Sequence, residues 1–375
     1  MAAAMVEQAL AEAWESSSVP GVVAMVRLAD GEALTVTRGR RSIDDPTPMS
    51  ADTIFWIASL TKLLTSIIAL QLVDEGRLSL DQTVVSLRPE FGDLPILTGF
   101  DAGGEPQLEA ATDAPTVWHL LTHTSGLGYP FMDRDLARFA EREHFPADRG
   151  HLLPRRFLAG EGWLYGASTD WLGAVIEAIC GESLDQVFQR RICGPLGMSD
   201  TTCVRSPQQL ARAAAVHARL ADGSCVKIDF AMPPPPNFNL GGGALFSTAS
   251  DYIRLLSALL DGEILSGASR ASLFENQIGD VEAGSIVSSN VALTRDFDPL
   301  PGQLKRWSLG MMINPAPVAG RRSSGSGAWA GLANCYYWLD TSSGIAGVLL
   351  SQILPFADPQ VLDLFETLER AIYAP

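Results

Sequence analysis

The stretch Leu60–Leu72, L-T-K-L-L-T-S-I-I-A-L-Q-L, constrains this chain more than any other. Wound as a helix it carries apolar residues on nearly every face, so it cannot rest on a surface and must run through a core. Gly76 supplies its stop. The polar exceptions gather at its start, where Ser59 and Lys62 stand three residues apart and therefore share one helical face. The chain can provide such a core, since its 375 residues are 47% hydrophobic. A chain of that length buries about three quarters of its unfolded surface.

Strand-like text frames the chain at both ends. A short amphipathic helix over 3–16 stops before Pro20, and the runs Val22–Leu28 and Ala33–Thr37 form a hairpin across Ala29-Asp30-Gly31-Glu32. Strands return as Trp307–Ile313, Trp329–Leu339 and Ile345–Leu354, the last two joined by the turn 340–344, and an amphipathic helix over 358–373 closes the chain. Between about 90 and 300 the text is rich in Pro and Gly, with helical patterns at 117–122, 170–180, 184–192 and 249–260. The prolines 233–236 require an extended loop. The expected architecture is an α/β (α+β) fold. One antiparallel sheet domain is drawn from residues 1–90 and 305–375, a mainly helical insertion spans 91–304, and the active site lies between them.

Charge narrows the partners. Acidic residues outnumber basic ones 43 to 27, for a formal net charge of −16. Nucleic acid and anionic membranes both demand a basic face, so neither is an expected partner. The five scattered cysteines form no C-x-x-C pair and read as reduced, mostly buried thiols. With Glu7, Glu12 and Glu15 breaking up the first residues and no run long enough to span a bilayer, the expectation is a soluble, cytoplasmic protein.

Ser59 and Lys62 form S-x-x-K, an arrangement with a chemical rationale. A serine hydroxyl is a poor nucleophile without an adjacent base, and an ordinary lysine is an ammonium that cannot accept its proton. Burial on an apolar helix disfavours that charge, and a helix amino terminus favours a developing oxyanion. Taken alone, the spacing serves equally well as a capping serine beside a snorkelling lysine. A second S-x-x-K, Ser224–Lys227, follows the Asp222-Gly223 turn into alternating text and reads as a surface hairpin. His119 and His123 lack the H-E-x-x-H context of a metal site and read as histidines satisfying local hydrogen bonds. Gly241–Gly243 lacks the Lys-Ser/Thr of a phosphate loop and reads as a bend beside the pocket, while Trp163, Trp171, Trp307 and Trp338 read as core aromatics. The chain has no G-x-S-x-G.

Six segments in succession, FWIASLTK, LVDEGRLSLDQTV, HLLTHTSGLG, GWLYGASTDWLGAVIE, CGPLGMSDT and GGGALFSTASDYIRLL, resemble the serine β-lactamase-like superfamily over nearly the whole chain. Within it the chain is most similar to family VIII carboxylesterases, relatives of class C β-lactamases and D-Ala-D-Ala carboxypeptidases. The resemblance implies a β-lactamase-like fold with Ser59 as acylated nucleophile, Lys62 as its neighbouring base and Tyr165 as the family's tyrosine, a tyrosinate or a phenol sharing one proton with Lys62 that takes the serine proton and later returns it to the leaving oxygen. It also implies substrate contacts along Trp329, Ala330 and Gly331, and an oxyanion hole from the backbone amides of Ser59 and Leu332. His123–Gly126 becomes a structural signature beside the site.

Two departures matter. Trp329 stands where the superfamily usually has a lysine, and Tyr165-Gly166-Ala167 replaces Tyr-x-Asn. Both remove groups that hold a β-lactam or peptide, which favours an apolar or neutral acyl group. The expected activity is hydrolysis of short-chain carboxylic esters through an acyl-enzyme on Ser59, with no cofactor or metal. The alternatives are acyl transfer to an alcohol or amine, β-lactamase or carboxypeptidase activity, and a non-catalytic penicillin-binding-like sensor.

Overall fold

The computed structural model describes residues 2–230 and 241–374. The segment expected as a proline loop, 233–236, lies outside them. The central sheet takes one strand group from each end of the chain. Its amino-terminal strands are β1 (Gly21–Arg27), β2 (Ala33–Ser42) and β3 (Asp45–Pro48). Its order is Arg306–Trp307, Met312–Asn314, Ser326–Gly331, Cys335–Asp340, Ile345–Leu350, β1, β2, β3, and each neighbouring pair is antiparallel. The two ends are stitched together at β1, where Val23 faces Leu350 and Arg27 faces Ala346.

Alternation along the strands sorts the side chains onto two faces. Tyr337 meets Tyr252 at 5.6 Å between ring centroids, while its neighbour Trp338 meets Phe365 at 5.5 Å. One face is thus covered by the helix Ala249–Asp261 and the other by the carboxy-terminal helix Pro359–Tyr373, which packs beside α1 (Ala2–Glu15). The Trp338 indole fits because its cross-strand partner is glycine; a Cβ on Gly347 would fall 2.0 Å from the ring. The helix Ala249–Asp261 belongs to the stretch expected as an insertion, yet it packs on β1 and Ile345–Leu350. The apolar helix is α2 (Thr61–Asp74), buried from Thr61 through Leu70, and Gly76 follows it at φ +68°. It packs against the helix Ser168–Cys180.

Three expected strands are broken in two, each for a local reason. The run 329–339 is a hairpin, Ser326–Gly331 against Cys335–Asp340, because Asn334 takes φ +61° and its amide donates to Gly331 O at 2.9 Å. The run 307–313 also folds back, with Ser308 Oγ accepting from the Met311 amide at 3.2 Å. The run 345–354 leaves the central sheet after Leu350, and Ile353–Leu354 pairs in parallel with His217–Arg219. The second S-x-x-K sits in the hairpin of His217–Arg219 with Cys225–Lys227, where Val226 and Lys227 are exposed.

Asn334 also ties the turn to the rest of the fold. Its Nδ2 donates to Ile353 O (2.8 Å) and Pro355 O (3.0 Å), and its Oδ1 accepts from Tyr336 OH (2.7 Å) and Asp358 N (2.9 Å). Asn334→Ala strands these buried partners and forces an alanine into the left-handed region. It should cost about 3 kcal/mol, read as a lower urea midpoint at unchanged m-value.

His217 gives the fold a pH dependence. Its Nε2 accepts from the Ile43 amide at 3.1 Å, which only a neutral ring can do, and burial holds its pKa below the ordinary histidine value. The unfolded chain therefore takes up a proton near pH 6.5 that the folded chain refuses, and stability present above that pH is lost as pH falls through the histidine range. The loss approaches about 1.4 kcal/mol per pH unit for one fully differential proton. Chemical unfolding at about pH 7.5 and 5.5 should show the decline, and His217→Gln, which keeps an acceptor, should flatten it.

Candidate active site

The nucleophile candidate lies at a strained corner. Ser59 sits in the 3-10 turn Ala58–Leu60 that feeds α2, and Ala58 before it holds φ +45°, a region costly for any residue with a Cβ. Neighbours pin the corner: Ile57 N donates to Leu245 O (3.1 Å), Leu245 N to Thr61 Oγ1 (3.2 Å) and Tyr252 OH to Leu60 O (3.0 Å). The strand Ser326–Gly331 ends against the same corner. A Cβ on Gly331 would stand 2.4 Å from Ile57 O, so only glycine permits that approach.

Lys62 is 2% exposed and lies behind Ser59. Its Nζ lies 2.9 Å from Gly242 O, 3.1 Å from Tyr129 OH and 3.4 Å from Ser59 Oγ. As an ammonium it donates to all three. As a neutral amine it donates to Gly242 and Tyr129 and turns its lone pair toward the serine hydroxyl, the arrangement a general base requires.

The phenol bonded to Lys62 is Tyr129, where the resemblance implied Tyr165. The Tyr165 ring lies under Nζ, 4.8 Å from centroid to nitrogen, and its hydroxyl accepts from Trp329 Nε1 at 2.9 Å. Tyr129 OH donates to Asp170 Oδ2 at 2.7 Å, and Asp170 Oδ1 accepts from the Gly242 amide at 2.9 Å. Burial, reinforced by the Asp170 charge, raises the Tyr129 pKa well above the usual phenol value, so it keeps its proton. Burial also raises Asp170, against the opposing pull of Lys62 and its two hydrogen bonds.

Ser59, Tyr165, Trp329, Ala330, Gly331 and Leu332 line one cavity of about 530 Å³, together with Tyr129, Asp170 and Gly242. The sequence residues thus converge, with Lys62 in the wall behind them. Two participants escaped the sequence reading, Tyr129 and Asp170, while Gly242 falls in the bend expected beside the pocket. The triple glycine was the available signal, because a Cβ on Gly242 would lie 2.8 Å from Lys62 Nζ and 2.6 Å from Tyr129 OH.

His119 and His123 have separate structural settings. His119 Nδ1 accepts from the Thr116 amide at 3.0 Å, capping the helix Val117–Leu121. His123 is buried among Trp163, Tyr165 and Trp307, and burial together with Lys62 holds its pKa well below the ordinary value. Among the described residues, no cluster of three or more His, Cys, Asp and Glu could hold a metal ion, and no helix is long and apolar enough to cross a membrane.

Comparison with known proteins bears on family and fold. The chain is 32% identical to monacolin J acid methylbutanoyltransferase of Aspergillus terreus, over 99% of this chain and 95% of that one. It is 30% identical to lovastatin esterase of Penicillium rubens, over 87% and 86%. Unliganded simvastatin synthase of Aspergillus terreus, as its selenomethionyl derivative, superposes with a TM-score of 0.89 at 31% identity, covering 100% of this chain and 98% of that one. EstCE1, a hydrolase with promiscuous acyltransferase activity, shares the fold at TM-score 0.78 and 21% identity, over 100% and 98%. The Beta-lactamase family profile matches residues 6–371, and the chain belongs to that family.

Proposed function

We propose that this protein is a serine acyltransferase that takes a short acyl group onto Ser59 and passes it to a hydroxyl of an apolar acceptor, with ester hydrolysis as the competing outcome. The observation that carries the proposal is the similarity, along almost the full length of both chains, to a methylbutanoyltransferase. That similarity ranks transfer ahead of the hydrolysis expected from sequence. The resemblance to lovastatin esterase keeps hydrolysis as the second reading.

The cavity suits this chemistry. Its walls are mainly apolar, with Phe131, Met132, Phe145, Leu153, Ile286 and Leu293 among them. An acceptor that displaces water from such walls presents its hydroxyl to the acyl-enzyme at high effective concentration. In the proposed cycle Ser59 Oγ attacks the donor carbonyl while its proton passes to Lys62. The oxyanion is held by the Ser59 and Leu332 amides. The proton on Lys62 then passes to the leaving oxygen, and Tyr165, whose oxygen accepts from Trp329 Nε1, keeps its phenol proton free to hydrogen-bond to that oxygen. The acceptor hydroxyl then repeats the sequence in reverse. Trp329 fills the place of a lysine and favours an uncharged acyl group. The five cysteines are all free, four of them buried, which fits a reducing compartment such as the cytoplasm.

Incubating the protein with p-nitrophenyl butyrate and a hydrophobic alcohol should yield the transferred ester alongside butyrate, with the ester fraction rising with alcohol concentration. Butyrate alone at every alcohol concentration would return the assignment to esterase. Ser59→Ala should abolish both products without altering the circular dichroism spectrum. Gly331→Ala drives a Cβ into Ile57 O and displaces the strand from the nucleophile corner. It should lower kcat about 10²-fold.

A further inference from the structure

Asp170 and Lys62 are a buried acid and a buried base that do not touch, and two groups stand between them. Tyr129 donates its proton to Asp170 Oδ2 (2.7 Å) and offers its oxygen to Lys62 Nζ (3.1 Å). Gly242 does the same through one residue's backbone: its N–H donates to Asp170 Oδ1 (2.9 Å) and its C=O accepts from Nζ (2.9 Å). Both carboxylate oxygens are thus occupied by donors, and both bridges point their acceptor ends at the amine. Asp170 is 2% exposed and Lys62 2%, so water does not screen this arrangement. The other titratable groups facing Nζ are Tyr165, whose ring lies 4.8 Å away, and His123, which burial keeps neutral.

We infer that Asp170 and Tyr129 are positioning residues for Lys62: together with the Gly242 peptide they form a double hydrogen-bonded bridge. That bridge aims the amine at Ser59 and supplies the negative charge that compensates the ammonium formed during acylation. The inference rests on the acyl-enzyme reading above. In each half of the cycle the proton that Lys62 receives from the attacking hydroxyl leaves with the departing oxygen, so Asp170 keeps its charge throughout and no proton is lost or gained overall. Neither residue delivers a proton to substrate. Their contribution is to fix where the three donors of Lys62 point, and hence where its lone pair points when one proton is removed.

The replacement that isolates the charge is Asp170→Asn. It keeps the side-chain volume and one acceptor for the Gly242 amide. Its Nδ2 would donate to Tyr129, turning that hydroxyl's proton onto Lys62. With the anion gone, the group that must be deprotonated for turnover loses its proton more readily. The acid limb of the kcat/KM profile should then move to lower pH by about one unit. Tyr129→Phe keeps the ring on Phe131, 5.0 Å between centroids, and removes only the tyrosine arm of the bridge, leaving the Gly242 arm in place. It should lower kcat about tenfold or more with KM within about twofold. The double variant should be no slower than the slower single one, since the two act as a unit.

The assay is p-nitrophenyl butyrate turnover by the full chain. An Asp170→Asn enzyme whose acid limb stays in place would overturn the inference, as would a Tyr129→Phe enzyme with wild-type kcat or a double variant whose losses multiply. If Asp170→Asn does not fold, Tyr129→Phe decides alone. Failure of the underlying reading looks different: turnover would then survive Ser59→Ala.

Discussion

An amine held out of water is the condition on which the rest of this structure depends. Removing a cation from solvent costs several kcal/mol unless acceptors replace the lost hydration. Lys62 finds three, on Ser59, Tyr129 and Gly242, with a carboxylate one hydrogen bond further on. Much of the surrounding architecture follows from supplying them. The helix bearing Lys62 must be apolar on all sides to keep water away, so it runs through the core rather than along it. The Gly242 carbonyl can reach Nζ only if that residue has no side chain. The sheet must end in a glycine for its strand to come up against Ile57 and complete the cavity.

Trp329 serves both the cavity wall and the neighbouring phenol. A cation at this strand position would attract a carboxylate on the substrate. The indole instead spends its single donor on Tyr165 and presents an apolar surface to the cavity. The apolar wall and the hydrogen bond that orients the phenol are thus two effects of one side chain. Trp329, Tyr165, Trp163, Trp307 and His123 form a continuous aromatic cluster, with edge-on or tilted ring pairs whose centroids lie 4.6 to 6.4 Å apart around Trp307 and Trp329. Such a wall is stiff, because rings of this size cannot shift singly in a close-packed interior.

What the sequence made legible was whatever lies close together along it. Ser59 and Lys62 are a helical turn apart, so their shared face is a matter of periodicity, and the apolar length of α2 announced its burial. The β1–β2 hairpin and the helices at the two ends of the chain were readable for the same reason. The broken strands were not, because Asn334 is embedded in the apolar run 329–339 and its left-handed turn is stabilised by partners at 353, 355 and 358 that a local pattern cannot see. The family motif led to Tyr165, and nothing in the residues around Tyr129 marked that phenol as the one bonded to the lysine. Its partners are 41 and 67 positions away, and only the folded loop brings them together.

In the proposed cycle transfer and hydrolysis share every group, so the choice between them falls to which hydroxyl meets the acyl-enzyme. Water reaches any open cavity. An acceptor competes only by binding, and binding in a cavity of about 530 Å³ with mainly apolar walls comes from apolar area removed from solvent. A small polar alcohol gains little there, and water then takes the acyl group. A large apolar alcohol gains much more and also displaces the water that would have reacted. On the proposed cycle, the same residues would give hydrolysis or transfer according to the hydrophobic surface of the second substrate.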